Sequence, residues 1–185
     1  SYGNNNDGDT YDNEISYNTI YNCSWDNGYD YWFAWEAPAI AFENDNTGGQ
    51  VRDNVVEGNN ISNCPSAVVF DNYEGHGALR SNTVADNNIS GCNTSIAFIN
   101  YDSNGDICDN TIEDNMISSL NTAEDESFYI GIVIYNIYWY DEAYGEIFGN
   151  NAYNNSISGC DVGILIENDQ LGDVYDNTID DNTIS

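Results

Sequence analysis

The chain has 185 residues, enough for one domain with a buried core. Its 32 Asp and Glu stand against two Arg and no Lys, a formal charge of −30, which makes nucleic acid and anionic membranes poor partners because both need a basic surface. With 41% hydrophobic and 14% aromatic residues it is not an acidic disordered chain; the composition suits a protein living in high salt, at low pH or with bound divalent cations.

No run approaches about 18 apolar residues, so no membrane insertion is expected. No signal peptide is visible, and Ser1 as first residue fits a cleaved precursor.

After a polar opening, "SYGNNNDGDTY", a ten-residue phrase starts at Asp12 and returns at Asp53, Ser81, Asp109, Gly149 and Asp176. It is clearest as "SNTVADNNIS" (81–90), "DNTIEDNMIS" (109–118) and "DNTIDDNTIS" (176–185). The intervals of 41, 28, 28, 40 and 27 define a unit of about 28 residues, two copies of which carry an extra dozen or so.

Within each phrase Asn occupies the position after the start (Asn13, Asn54, Asn82, Asn110, Asn150, Asn177) and the sixth after it (Asn18, Asn59, Asn87, Asn115, Asn155, Asn182). Apolar residues fill the third (Ile15, Val56, Val84, Ile112, Ala152, Ile179) and the eighth (Ile20, Ile61, Ile89, Ile117, Ile157, Ile184). A second burst follows: "AIAFEN", "AVVFDN", "SIAFIN", "GIVIYN", "GILIEN". It closes on a third Asn column, Asn44, Asn72, Asn100, Asn136 and Asn168. A short third element supplies Val51, Leu79, Ile107, Ile147 and Val174.

The alternation has period two and the apolar residues are mostly β-branched, so these elements are strands. The reading is all-β: a right-handed parallel β-helix, a solenoid of five to six coils of about 28 residues with three short strands each. It forms a single domain over 1–185, with inserted loops at about 24–38, 119–130 and 138–146. Coils stack about 4.8 Å apart, so identical residues become ladders: Ile and Val inside, Asn at corners, where it tolerates left-handed geometry and its amide reaches the next coil.

The phrase "NTI..N.IS.C..GI.I.N", joined from 177–184 and 157–168, resembles the right-handed β-helix repeats of pectin-lyase-like proteins, whose relatives include carbohydrate-binding and sugar-hydrolase repeat domains and archaeal cell-surface β-helix proteins. The likeness runs from Asp9 to Ser185 and rests on structural letters. It implies an extracellular or periplasmic setting and contact with polysaccharide.

Function is expected where the repeat is interrupted. The inserts hold every Trp, and the candidate contact residues are Trp25, Tyr29, Tyr31, Trp32, Phe33, Trp35, Tyr138, Trp139, Tyr140 and Tyr144. They form a satellite core under the loops, a protein–protein contact or a sugar-stacking platform. "DSNGDICD" places Asp102, Asn104, Asp106 and Asp109 in a Gly-containing loop, either turn residues or oxygen ligands for Ca2+, without the bidentate Glu of an EF-hand. Stacked carboxylates such as Asp53, Asp109 and Asp176 would repel unless protonated, screened or bridged.

Cys23, Cys64, Cys92 and Cys160 share a column in which Leu120 is the fourth member, while Cys108 stands apart; buried thiols and one inter-coil bridge both fit. Sequons begin at Asn22, Asn60, Asn88, Asn93 and Asn154, candidate glycosylation sites in an extracellular chain. Arg52, Arg80 and His76 form the one catalytic-looking trio, against the plainer reading that the Arg pair neutralises acids such as Asp53 or Glu57.

No amphipathic capping helix is visible, and the chain closes mid-coil at Ser185. The expected function is therefore non-enzymatic: a secreted or cell-surface structural protein that stacks head to tail on itself into a filament, its aromatic loops contacting neighbours. The alternative is a β-helix domain that binds or cleaves polysaccharide, with cell-surface glycans as partners.

Overall fold

The computed structural model describes residues 2–4, 8–23, 38–45, 48–73, 77–101, 104–119, 128–137, 144–169 and 171–185. Its 24 strands form four wholly parallel sheets of six, each sheet taking one strand from every coil. The chain is a parallel β-helix of six coils. The second coil is typical: β5 (Pro38–Asp45), β6 (Val51–Arg52), β7 (Val55–Glu57) and β8 (Asn60–Ser62). The first holds β1 (Tyr2–Asn4), β2 (Thr10–Tyr11), β3 (Glu14–Ser16) and β4 (Thr19–Tyr21). The last holds β21 (Val162–Asn168), β22 (Val174–Tyr175), β23 (Thr178–Asp180) and β24 (Thr183–Ile184).

Four strands per coil, rather than the three expected, follow from a kink inside the ten-residue phrase. Its fifth position after the start has positive φ in every coil: Tyr17 55°, Gly58 65°, Asp86 54°, Asp114 55°, Asn154 55° and Asp181 52°. The start position does likewise, from Asp12 at 53° to Gly149 at 66°. Each phrase is thus two five-residue sides, a left-handed corner and then a three-residue strand.

This moves the asparagines. The left-handed residue is the one before each ladder Asn, and the ladder Asn itself points inward. Asn54, Asn82 and Asn110 are fully buried, and Asn59, Asn87, Asn115, Asn150 and Asn155 are 1% exposed. Burial is tolerated because the polar atoms of these two inner columns are paired, as Asn82 shows. Asn82 donates its backbone N–H and its Nδ2 to Asn110 Oδ1, each at 3.0 Å, and sends a second Nδ2 bond back to Val51 O at 2.9 Å. Its own Oδ1 accepts from Asn54 N (3.1 Å) and Nδ2 (2.9 Å). Asp offers no donor here, and Ser is too short to serve both neighbours.

The apolar columns stack between these rungs in exact register: Ile40, Val68, Ile96, Ile132 and Ile164 are successive partners, as are Phe42, Phe70, Phe98, Ile134 and Ile166. The Phe rings stack with centroids 4.9 and 4.5 Å apart. One core cluster runs through the coils from Ile40 to Ile157, with Ile15, Ile20, Ile164 and Ile166 packed against its ends. No Asp or Glu appears among the buried described residues, so the charge lies outside the core.

Replacing Asn110 by Ala orphans the buried Asn82 N–H and Leu79 carbonyl, at about 1–3 kcal/mol each. In urea unfolding, Asn110→Ala is expected to lose roughly 2–5 kcal/mol. Asn13→Ala, at the solvent-facing end of the same ladder, is expected to lose less than about 1 kcal/mol. Equal losses for the two would contradict the ladder.

Candidate functional site

The ladders are directional, which makes the two ends of the solenoid chemically different. Each ladder Asn donates towards the next coil and is accepted upon from the previous one. In the first coil, Asn13 and Asn18 donate to Asn54 Oδ1 and Asn59 Oδ1. Their own Oδ1 atoms receive no hydrogen bond among the described residues. In the last coil, Asn177 and Asn182 accept from Asn150 and Asn155, and their backbone N–H groups meet no acceptor among the described residues. One face presents acceptors and the other donors.

The apolar columns open at the same two faces. The first-coil end is a concavity of about 590 Å³ lined by Ile15, Ile20, Ala39 and Ile40 with Asn18 and Thr19. At the other end Ile179 and Ile184 are 52% and 55% exposed, whereas Ile112 and Ile117 in the same columns are 1% exposed. Val174 and Leu171 of the same coil are exposed as well.

Of the aromatic candidates, Trp25, Tyr29, Tyr31, Trp32, Phe33, Trp35, Tyr138, Trp139 and Tyr140 lie outside the described residues. Tyr144 is described and exposed, and its N–H donates to Asn104 Oδ1 at 3.1 Å. In sequence the segments carrying the others precede β5 and follow β17 (Ile130–Ile137), two inner strands of the broad first sheet. On the outward side of that sheet Val69, Ala97, Ile99, Val133 and Ile137 form a second buried cluster outside the coil core, while Glu43, Asp71 and Glu167 share the column of Ile99.

The acidic turn does structural work where it is described. Asp106 Oδ1 accepts Glu146 N–H at 2.9 Å, as Asp9 Oδ1 accepts Gln50 N–H at 3.0 Å three coils earlier, and Asp102 lies outside the described residues. Among the described residues no three His, Cys, Asp or Glu gather closely enough to hold a metal ion. Asp53, Asp109 and Asp176 are not neighbours, because Ser81 and Gly149 stand between them in the corner column; the adjacent corner carboxylates are Asp12 and Asp53. Arg52 bridges from Asp53 Oδ2 (2.6 Å) to Asp9 Oδ2 (2.9 Å) and lies 4.4 Å over the Tyr11 ring. The Gln50 N–H, with Arg52 second, holds the Asp9 carboxyl below its ordinary range. Glu57 does not pair with Arg52; it takes the Tyr17 hydroxyl. Arg80 donates to Gln50, and His76 lies outside the described residues. The sequon residues Asn22, Asn60, Asn88 and Asn154 are exposed and Asn93 is half-buried; Asn88 Nδ2 donates to Asn60 Oδ1 at 3.1 Å.

Two features escaped the sequence reading. A glycine stands four residues before every phrase: Gly8, Gly49, Gly77, Gly105, Gly145 and Gly172. Coils approach there so closely that a Cβ on Gly77 would fall 1.6 Å from Gly49 O. An invariant column was the available signal. The second is that tyrosine replaces lysine as the donor to carboxylates between coils. Tyr17 donates to Glu57 (3.0 Å), Tyr175 to Glu146 (2.8 Å), Tyr153 to Glu113 and Tyr135 to Asp169.

No protein-family model, curated protein or solved structure matches the chain.

The Tyr175 phenol is pushed up from 10.0 to about 12, first by the Glu146 carboxylate that accepts its hydrogen bond; Tyr17 and Tyr153 are raised in the same way, and Tyr135 by burial and then Asp169. Neutral phenols are therefore favoured in the fold. Their contribution is complete below pH 10 and fades as the pH climbs towards 12, because the unfolded tyrosines ionise first. Thermal melts are expected to fall across that window, and Tyr175→Phe is expected to flatten part of the fall; an unchanged pH profile would contradict the assignment.

Proposed function

We propose that this chain is a non-enzymatic structural protein whose copies stack head to tail through the two open coil faces into a secreted or cell-surface filament. The observation that carries the reading is the complementarity of those faces. A second copy in continued register sets Asn177 and Asn182 N–H against Asn13 and Asn18 Oδ1, extending both ladders by one rung. It sets Ile179 on Ile15 and Ile184 on Ile20, and brings Tyr175, already stacked on Phe148 at 5.1 Å, against Tyr11. Two first-coil faces meeting would oppose acceptor to acceptor, so the contact is heterologous and does not close.

Magnitudes make assembly conditional. Fully burying one Ile, Val or Leu side chain is worth roughly 1.5–3 kcal/mol. The half-exposed Leu171, Val174, Ile179 and Ile184 thus offer on the order of 4 kcal/mol. Each restored rung adds about 1 kcal/mol. Association costs roughly 4–15 kcal/mol in lost freedom, and each copy brings a charge of −30. Continued register also sets Asp176 against Asp12 and Asp173 against Asp9. High salt, acid or calcium therefore favours the filament, by screening, neutralising or bridging these carboxylates.

The aromatic inserts at about 24–38, 119–130 and 138–146 make lateral subunit contacts in this proposal, supported by their content of Trp and Tyr, the usual anchors of protein contacts. Kinship with pectin-lyase-like and archaeal cell-surface β-helix proteins belongs to the same proposal. The letters that carry it are ladder residues, so it supports architecture and extracellular setting rather than catalysis.

Blocking one face at a time tests the reading. Ile184→Asp charges the donor face and Ile20→Asp the acceptor face. The unmodified chain is expected to form fibres that grow with concentration and calcium under the microscope. Each variant alone is expected to stay monomeric by sedimentation, with circular dichroism unchanged, and an equal mixture to form dimers and stop. Monomers of the unmodified chain in every condition, or a mixture no larger than its parts, would sink the proposal.

A further inference from the structure

We propose that Cys23 and Cys64 are a disulfide-forming pair, a covalent staple holding the first coil to the second. The inference is independent of filament formation. β4 pairs with β8 in register, Ile20 against Ile61 and Tyr21 against Ser62. The next residues, Asn22 and Asn63, turn the same left-handed corner at φ 55° and 53°, with Asn22 N–H donating to Ser62 O at 3.1 Å. Cys23 and Cys64 follow at the same place in adjacent coils, where Cα atoms about 4.8 Å apart fall within the span of roughly 4.4–6.8 Å that a disulfide bridges. Their sulfur atoms lie 2.6 Å apart, both as free thiols. That is closer than two unbonded sulfur atoms rest, so the site is shaped for a bond.

The column offers one rival. Cys92 lies one coil beyond Cys64, whereas Cys160 follows the coil in which Leu120 takes the place of a cysteine. Aligned side chains must tilt together, since Cβ atoms of a disulfide sit about 3.8 Å apart. Cys64 and Cys92 are both buried, and their coils are clamped from both sides, Asn63 N–H to Ser90 O at 3.0 Å and Gly91 N–H to Ser118 O at 2.9 Å. Cys23 is half-buried and belongs to an end coil that pairs with one other coil among the described residues, so it can tilt.

The chemistry is thiol–disulfide exchange with a small disulfide, R–S–S–R, of the oxidised-glutathione kind. Cys23, the more accessible thiol, loses its proton and attacks one sulfur. The bond Cys23–S–S–R forms, and R–S⁻ leaves and takes up the proton. Cys64, whose thiol is held protonated by burial, then gives up its proton as its sulfur attacks that of Cys23. The second R–S⁻ leaves and takes that proton. Two electrons pass from the cysteine pair to R–S–S–R, which ends as two R–SH. The staple closes just before the insert that starts at about residue 24, and anchors an end coil to the next one.

The test uses the full chain, incubated with oxidised or reduced glutathione, unfolded in acid, alkylated with iodoacetamide and read by intact mass and peptide mapping. After oxidation three of the five cysteines are expected to alkylate, with Cys23 and Cys64 recovered as one linked peptide pair; after reduction all five should alkylate. Cys92→Ser should leave the linkage intact and Cys64→Ser should abolish it. The oxidised chain should also melt several degrees higher than the reduced one, a shift absent in Cys64→Ser. Five alkylated cysteines after oxidation, or a linkage of Cys64 to Cys92, would overturn the proposal.

Discussion

An amide with one oxygen and one nitrogen can serve two neighbours at once, and the interior ladders use that capacity in full. Along the two ladders within the ten-residue phrase the Asn oxygen takes two bonds from the coil before, while its nitrogen reaches both backwards to a backbone carbonyl and forwards to the next Asn; in the third Asn column Asn100 Oδ1 is buried without a partner among the described residues. Corners are where a solenoid would otherwise bury unpaired backbone groups, since the strands end there and water is excluded. The ladder removes that cost and sets the coil spacing at the same time. It also fixes register. Slipping a coil by one residue would misplace every rung and turn every Ile outward.

Directionality follows from the same bond. A ladder whose every member donates one way gives the molecule a polar axis, although a stack of near-identical coils has little other asymmetry. The faces at its ends are then a matched pair. A head-to-tail filament is the assembly in which nothing new has to be recognised, because the junction repeats what every internal coil interface already does. At the proposed junction charge is what differs, and the acidic surface would make the contact depend on salt and calcium. Within the molecule the same surface is held by tyrosine hydroxyls donating to carboxylates across coils, a device suited to a chain with two Arg and fifteen Tyr.

Much of this could be read in the letters. The three Asn columns and the Ile and Val columns gave the coil, its register and its core, because a ladder residue faces its own copy and selection acts on it in every repeat. The fourth strand is not legible in the letters: the kink falls on a position filled by Tyr17, Gly58, Asp86, Asp114, Asn154 and Asp181, which share a left-handed φ and little chemistry. The glycine column was visible and overlooked, since Gly in a turn looks ordinary until Gly77 is seen against Gly49. The apolar outer cluster of Val69, Ala97, Ile99 and Val133 alternates with core residues, so in sequence it reads as one continuous burst. The open faces could not be seen as donor and acceptor until the direction of the amide bonds was known.

Hydrogen exchange at single amides tests the central claim most directly. The amides of Asn110 and Asn115 sit inside the ladders, and those of Asn177 and Asn182 end them. In dilute, low-salt protein the inner pair should exchange slowly and the terminal pair fast. In concentrated protein with calcium, the terminal pair should slow towards the inner pair as the ladders continue into the next copy. Assembled material in which Asn177 and Asn182 still exchange fast would contradict the account.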